Sequence, residues 1–208
     1  KVIEQAKIDH GVDLEIDKTY RYCVLSNRKK NYLGVTNSGK VDVKGLTGKK
    51  SHTPAFIKKL FFELVDVLSE VQTMEDFVKA KKQISEKISV CGKKLEAKEI
   101  PLEDLTFNVM LSKAPSEYTK TIPQHIRAAK QLEGIREIKK GDRISFIKIL
   151  NKPGVKPAEL AKKEEIDSKK YMEFLESTLE QITSSMDLDF DVMLGKPKQT
   201  GLDEFFWS

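Results

Sequence analysis

The sequence has few of the residues that build disulfide-stapled or metal-centred domains. Its 208 residues include two cysteines, Cys23 and Cys91, and three histidines that are far apart in the chain. A disulfide framework or a zinc module is therefore not expected, and Cys23, within an apolar run, is predicted to be a small buried core residue. No stretch approaches the roughly 18 uncharged residues of a membrane helix, and no apolar leader opens the chain. Because the chain begins with Lys1 rather than Met, we expect it to be a piece of a longer protein.

Positive charge is concentrated in one part of the chain. Residues 18–60 contain eleven Lys or Arg and a single acid, Asp42, so this window carries +10 although the whole chain carries only +5. Such an excess attracts a polyanion, because bound phosphates release their condensed counterions. Residues 173–195 have the opposite sign, with six acids and no base, and a nucleic acid would avoid them. A solvated basic face that aids solubility is the alternative interpretation.

The residue patterns predict an α+β fold. Antiparallel strands are expected between about residues 13 and 44, where Asn37-Ser38-Gly39 favours a hairpin turn. A helix starts near Pro54, with Ser51 or Thr53 as a possible cap, because apolar residues then recur at spacings of three and four. Further helices are predicted over 74–95 (with Phe77, Val78, Ile84 and Ile88 inward), 123–132 and 168–186, strands over 102–111 and 144–150, and a loop over 151–157.

Two apparent chemical motifs do not satisfy their requirements. Residues 45–51 resemble a phosphate-binding P-loop, but Val43 stands where the first Gly is required and Lys50 where Ser or Thr is required. Asp187, Asp189 and Asp191 alternate with apolar residues and lack the Gly and distal Glu of a calcium loop. The acidic trio is therefore predicted to be the polar side of an amphipathic segment.

The last residues carry a specific local motif. Gln199, Leu202, Phe205 and Phe206 fit the spacing Gln-x-x-Leu-x-x-Phe-Phe, which resembles the sliding-clamp (PCNA) binding box of replication proteins. In one helical or 3₁₀ turn the Leu and the two Phe side chains project as a three-pronged apolar plug. The alternative is that the two rings fold back into the core of the protein. We expect a flexible tail over residues 196–208 that binds a clamp.

Four elements in the same order resemble B-family DNA polymerases, most of all those of the archaeal, crenarchaeal type. The resemblance covers about residues 12–195. The elements are Arg28-Lys29-Lys30-Asn31-Tyr32-Leu33-Gly34; Lys44-Gly45 with Lys49-Lys50-Ser51; Leu111-Ser112-Lys113-Ala114-Pro115-Ser116-Glu117-Tyr118 with Pro123-Gln124-His125-Ile126-Arg127-Ala128-Ala129; and Gly141-Asp142-Arg143-Ile144-Ser145-Phe146. Two positions depart from the family pattern: Asn31 replaces a usual Lys or Arg, and Gln124 separates Pro123 from His125.

The resemblance implies three regions with different roles along the chain. Residues 1–50 would be the C-terminal end of a palm domain with antiparallel edge strands, residues 51–195 a thumb domain, and residues 196–208 the clamp-binding tail. The implied partners are primer-template DNA, the sliding clamp and the remainder of the polymerase, in the cytoplasm at the archaeal nucleoid. The implied DNA contacts are Lys29, Lys30 and Tyr32 on the primer strand, continued by Lys44, Lys49 and Lys50.

The chemistry expected of that family requires residues that this sequence lacks. Its Mg²⁺-binding carboxylates come from Asp-x-x-Ser-Leu-Tyr-Pro and Tyr-x-Asp-Thr-Asp segments, and neither is present. We therefore expect no cofactor bound by this chain, Mg²⁺ in the complete polymerase, and no activity of the chain alone. The main alternative is a non-catalytic, DNA-binding accessory factor that recruits the clamp. A clamp-dependent nuclease or ligase subunit is disfavoured, because no carboxylate cluster or nucleophilic Lys motif occurs.

Overall fold

The computed structural model describes residues 1–196 and has an α+β architecture, as predicted. Within those residues two antiparallel, three-stranded sheets are separated and covered by helices. The helices are α1 Val2–His10, α2 Ala55–Ser69, α3 Met74–Glu96, α4 Gln124–Lys130, α5 Ser168–Thr183 and α6 Phe190–Met193. The strands are β1 Tyr22–Leu25, β2 Tyr32–Val35, β3 Val41–Lys44, β4 Phe107–Met110, β5 Arg143–Lys148 and β6 Val155–Pro157.

The first sheet, in the order β1-β2-β3, buries one face and leaves the other open. Leu33 of β2 is paired with Val24 of β1 and Val43 of β3, and all three side chains are buried. Successive strand residues point to opposite faces, so Tyr32 and its cross-strand neighbour Lys44 lie on the open face. The predicted hairpin turn joins β2 to β3 and is closed by the Gly39 N–H donating to the Thr36 carbonyl at 2.9 Å.

The second sheet, in the order β4-β5-β6, contains a strand that the sequence patterns missed. Residues 151–157 were predicted as a loop, but β6 lies within them and pairs with β5, with Phe146 opposite Pro157. A proline is tolerated there because β6 is at the edge of the sheet, where a missing donor breaks no internal ladder. The strand predicted over 102–111 is confined to β4, since the Leu105 N–H donates to the Pro101 carbonyl in a preceding turn.

The N-terminal region and α3 also differ from their predictions. Residues 13–19 form no strand, and α1 precedes them without a buried residue. On α3, Ile84 and Ile88 are fully buried as predicted, whereas Val78 is 62% exposed and its predicted inward orientation is wrong. No helix among residues 1–196, including the 23-residue α3, is both long and apolar enough to cross a membrane.

Both sheets share one continuous core with the long helices. On α2 the predicted stripe is buried, including Ile57, Phe61 and Leu64 at 0% exposure. These side chains belong to the same cluster as Leu33 and Val43 of the first sheet and as buried residues of α3, α5 and the second sheet. The first sheet is therefore packed on the helices rather than joined to them only through the chain.

Tyr171 of α5 ties three parts of this core together. Its side chain is fully buried, and its hydroxyl donates to the Leu105 carbonyl at 2.7 Å while accepting from the Lys148 N–H at 3.1 Å. Burial raises the pKa of this hydroxyl, which keeps it protonated and able to donate. Its ring stacks on Phe107 of β4, with ring centroids 5.8 Å apart.

We expect Tyr171→Phe to lower the free energy of unfolding by about 1–3 kcal/mol, because the Leu105 carbonyl and the Lys148 N–H both lose a buried partner. Denaturant unfolding measures this change. The matched control is Tyr118→Phe, which removes a hydroxyl that lies 3.1 Å from the Ser112 hydroxyl at an exposed position, and which should change stability much less. Equal effects of the two substitutions would contradict the assigned role of Tyr171.

Candidate nucleic-acid interface

The turn between β1 and β2 carries Lys29 and Lys30 at the end of the first sheet. The turn is closed by the Ser26 N–H donating to the Asn31 carbonyl at 3.2 Å and by the Asn31 N–H donating to the Arg28 carbonyl at 3.2 Å. Both lysines are exposed, and Lys30 has a left-handed backbone conformation with φ of 65°. Such a conformation is unfavourable for a residue with a Cβ atom, so the surrounding turn imposes it.

Tyr32 and Lys44 lie next to this turn on the open face of the sheet. They are paired directly across β2 and β3, so their side chains are neighbours on the same face. Lys44 is exposed and Tyr32 is half-buried, its ring meeting that of Tyr20 edge-on with centroids 6.0 Å apart. Tyr32 therefore presents a fixed aromatic ring beside an ammonium group.

Gly45 allows the β1–β2 turn and the end of β3 to approach closely. Gly45 has φ of +68°, and a Cβ atom at this position would lie 2.1 Å from the Asn31 Oδ1 and 2.9 Å from the Lys30 carbonyl oxygen. Only a residue without a side chain fits there. Asn31, which replaces a usual Lys or Arg of the resembled family, packs against this glycine.

The chain then enters a 3₁₀ turn, Thr47–Lys49, which carries the remaining lysines. Lys49 and Lys50 are exposed, and the Lys49 ammonium donates to the Val43 carbonyl at 3.2 Å, back at the end of β3. The Thr53 hydroxyl donates to the Thr47 carbonyl at 2.7 Å. Neither Thr53 nor Ser51 caps α2, so the predicted helix cap is wrong. The structure thus brings the six predicted contact residues to one end of the first sheet, called here the basic edge: Lys29, Lys30, Tyr32, Lys44, Lys49 and Lys50.

The single acid of the basic window lies beside the basic edge. Asp42 accepts hydrogen bonds from the Lys18 ammonium at 2.6 Å and from the Tyr20 hydroxyl at 2.8 Å, and its carboxylate is 3.9 Å from the Lys44 ammonium. Hydrogen bonding from Lys18, then from Tyr20, lowers the pKa of Asp42. Because Asp42 shares its charge with Lys18, it offsets Lys44 only partly, and the basic edge keeps a strong positive charge.

Sequence patterns did not single out Lys18, Tyr20 or Gln181 as parts of this site. Lys18 and Tyr20 precede β1 and fold over β3, and Gln181 of α5 hydrogen-bonds Thr47. The Gln181–Thr47 contact joins residues 134 positions apart, for which no local pattern gives a signal.

The other candidate groups have different surroundings. Cys23 is exposed on the open face of the first sheet, so its predicted burial is wrong: within β1 it alternates with the buried Val24. Asp189 caps α6 by accepting from the Val192 N–H at 3.1 Å, and Asp191 is paired with Lys196 at 3.2 Å. Among residues 1–196 no three His, Cys, Asp or Glu side chains converge as a metal site. Gln199, Leu202, Phe205 and Phe206 lie outside the described residues.

The structure thus defines an α+β chain with a lysine-rich end of its first sheet. Comparison with known proteins gives the family. The family model "DNA polymerase family B" matches residues 1–188, and the chain belongs to this family.

Individual relatives agree with this assignment. DNA polymerase 1 of Sulfolobus acidocaldarius is 40% identical over 210 residues, covering 100% of this chain and 24% of the relative. DNA polymerase 1 of Saccharolobus solfataricus is 40% identical over 207 residues, covering 99% and 23%. DNA polymerase 1 of Aeropyrum pernix is 34% identical, covering 95% and 21%. The chain therefore spans about a quarter of the length of these crenarchaeal relatives.

A solved structure has the same fold. The family B DNA polymerase of the hyperthermophilic archaeon Pyrobaculum calidifontis matches with a TM-score of 0.66 at 18% identity, covering 90% of this chain and 24% of that one. The likeness covers most of this chain and concerns its fold.

The strain at Lys30 can be measured separately from its charge. We expect Lys30→Gly to be more stable than Lys30→Ala by about 1 kcal/mol, because both remove the ammonium but only glycine adopts positive φ without penalty. Urea unfolding of the two variants gives the difference. Lys29, which is not in the left-handed region, is the control, and there Ala should be at least as stable as Gly. A preference for Ala at position 30 as well would contradict the imposed strain.

Proposed function

We propose that this chain forms the part of a B-family DNA polymerase that grips primer-template duplex through the basic edge. The observation that carries the proposal is the convergence of five exposed lysines and one oriented tyrosine at a single end of the first sheet. Membership of DNA polymerase family B supports the polymerase over an accessory factor that only recruits a clamp.

The chemistry of the basic edge suits the DNA backbone rather than the bases. Lysine ammonium groups neutralise phosphates as point charges, and Tyr32 offers a ring that packs against a sugar. These contacts position a duplex without reading its sequence, as a replicative enzyme requires. On this proposal Lys29, Lys30 and Tyr32 hold the primer strand, and Lys44, Lys49 and Lys50 continue the contact along the duplex.

The charges around the basic edge favour a bound duplex that extends from this edge in a direction away from α5. The acids of α5 and α6 form a negative region, and Glu180 of this region lines the cleft beside Arg28. Burial, and then the charge of Asp191, raises the pKa of Glu176. Glu173 is paired with Lys170 at 2.8 Å, so the region is less negative than its sequence suggests. Its remaining acids would still repel phosphates.

The proposed grip predicts a sequence-independent loss of affinity. We expect Lys29→Ala with Lys30→Ala to weaken binding of unrelated primer-templates equally and to reduce the logarithmic salt slope by about two, since each phosphate contact contributes about 0.9. Fluorescence anisotropy at several salt concentrations measures both quantities. The matched control is Lys79→Ala with Lys82→Ala, which removes the same charge from exposed positions on α3.

The comparison between the two double variants decides the assignment. An unchanged salt slope for the Lys29 and Lys30 variant, or an equal loss for the α3 variant, would mean that the overall charge of the chain binds DNA. The basic edge would then have no special role as a grip.

Catalysis by such a polymerase would depend on residues outside this chain. The resembled family uses two carboxylate segments to hold Mg²⁺, which supplies activation of the primer hydroxyl and stabilisation of the triphosphate. Neither segment occurs in this sequence. The proposed partners are therefore primer-template DNA and the rest of a polymerase, which supplies these carboxylates. The chain alone is expected to be inactive.

We further propose that the motif at residues 199–206 binds a sliding clamp. The proposal rests on the spacing of Gln199, Leu202, Phe205 and Phe206 and on its position after the described fold. A clamp that encircles DNA would keep duplex at about millimolar effective concentration near the basic edge. Processivity would increase without any change in the chemistry.

The clamp proposal predicts a separable defect. We expect Phe205→Ala with Phe206→Ala to abolish clamp binding, because each ring contributes roughly 1.5–3 kcal/mol of burial, while DNA affinity is unchanged. Isothermal titration with a purified archaeal clamp measures the first and anisotropy the second. Trp207→Ala is the control, since it removes an aromatic ring outside the motif spacing. If the double variant still binds the clamp, the three-pronged apolar plug is not the group that binds it.

A further inference from the structure

A buried glutamine on α5 holds the turn that carries two of the proposed DNA contacts. Gln181 is only 7% exposed, although its side chain is an amide. Its Oε1 accepts from the Thr47 N–H at 2.9 Å, and its Nε2 donates to the Thr47 hydroxyl at 2.9 Å and to the Ser177 carbonyl at 3.2 Å. A buried amide is retained at low cost only when its donor and acceptor are both satisfied, as they are here.

The same turn is fixed from two other directions. The Thr47 carbonyl accepts from the buried Thr53 hydroxyl, so every polar group of Thr47 has a partner within the protein. Gly48 lies directly on the ring of Phe61, where a Cβ atom would come within 2.2 Å of ring carbons. The turn is thus held between α2 and α5, and the two exposed lysines follow from its fixed backbone.

The face of α5 that carries Gln181 also borders the other basic turn. Ser26, Asn27 and Arg28 of the β1–β2 turn form a cleft with Ser177, Glu180 and Gln181 of α5 and with Ser184, which follows this helix. One helix therefore lies against both turns, but it hydrogen-bonds only the one at Thr47. Its amide is placed to fix where Lys49 and Lys50 stand beside the end of β3.

We propose that Gln181 is a positioning residue for DNA binding, which acts by fixing Thr47 and through it Lys49 and Lys50. This inference rests on the proposed duplex-binding function of the basic edge. It makes α5 the element that matches the spacing of the lysines to the spacing of backbone phosphates. The charge of the chain is not involved, because the amide is neutral.

The test is a double-mutant cycle on duplex binding by the whole chain. Gln181→Met keeps the length of the side chain, removes the three hydrogen bonds and leaves the net charge unchanged. Its effect is measured by anisotropy with a primer-template duplex in three backgrounds: the unaltered chain, Lys49→Ala with Lys50→Ala, and Lys29→Ala with Lys30→Ala. Thermal unfolding of each variant checks that it folds.

We expect Gln181→Met to weaken binding by about tenfold in the unaltered chain and by less than about twofold once Lys49 and Lys50 are removed. In the Lys29 and Lys30 background the effect of about tenfold should persist. The salt slope should decrease by about one to two without any loss of charge, which a residue that only stabilises the fold would not cause.

Other outcomes overturn the inference in distinguishable ways. If the effect of Gln181→Met is the same in all three backgrounds, Gln181 contributes only to stability, and the proposed grip stands. If the unaltered chain binds duplex without salt dependence, the proposed function fails and the inference fails with it. Should Gln181→Met not fold, Thr47→Val replaces it, because it removes only the hydroxyl and should give the same pattern with a smaller effect.

Discussion

Like charges can be gathered on one small surface only if the backbone below them resists their repulsion. The basic edge brings five ammonium groups together with a single carboxylate, Asp42, close by. The resistance comes from apolar burial and close backbone packing. Leu33 and Val43 anchor the sheet in the core, and Gly45 lets the end of β3 lie against the β1–β2 turn. The free energy gained by packing the core thus offsets the repulsion between the lysines and keeps the backbone that carries them in place.

This arrangement explains why the polar contacts of the site are directed inwards. Thr47 directs its N–H, hydroxyl and carbonyl towards Gln181 and Thr53, and Lys49 hydrogen-bonds the carbonyl of Val43. Fixed groups lose less conformational entropy when they meet a rigid partner, so a pre-arranged array binds more tightly than a mobile one of equal charge. The left-handed backbone of Lys30 fits the same explanation, because strain persists only where surrounding contacts impose it.

Local patterns predicted the parts of this structure that depend on local physics. The apolar spacing of α2 and the turn residues of the β2–β3 hairpin were sufficient, since periodicity and turn chemistry act over a few residues. The clustering of lysines between residues 18 and 60 and the resemblance to polymerases indicated the basic edge. The orientation of Cys23 was wrong, because alternation along a strand gives two faces but does not say which one is buried.

The remaining features arise from contacts between distant segments. No property of residues 45–51 indicates that Thr47 will meet an amide 134 positions later, and no pattern near residue 181 distinguishes this glutamine from a solvent-exposed one. The strand β6 was obscured by Pro157 within it and by Pro153 just before it; an edge position tolerates the proline in the strand. Such contacts are decided by the packing of complete elements, so a sequence gives them only when the fold is already known.

The distribution of charge also bears on how a duplex could lie on this chain. At physiological salt, charges more than about 8 Å apart are largely screened from one another in solvent, so only acids close to the basic edge weaken it directly. Glu180 is such an acid, because it lines the cleft between α5 and Arg28. A phosphate at the tip of the β1–β2 turn is therefore attracted by Lys29 and Lys30 and repelled from the cleft behind them. The path that avoids this repulsion follows the end of the first sheet, towards Lys44 and the turn at Thr47, and it is the path along which the protein has fixed its lysines.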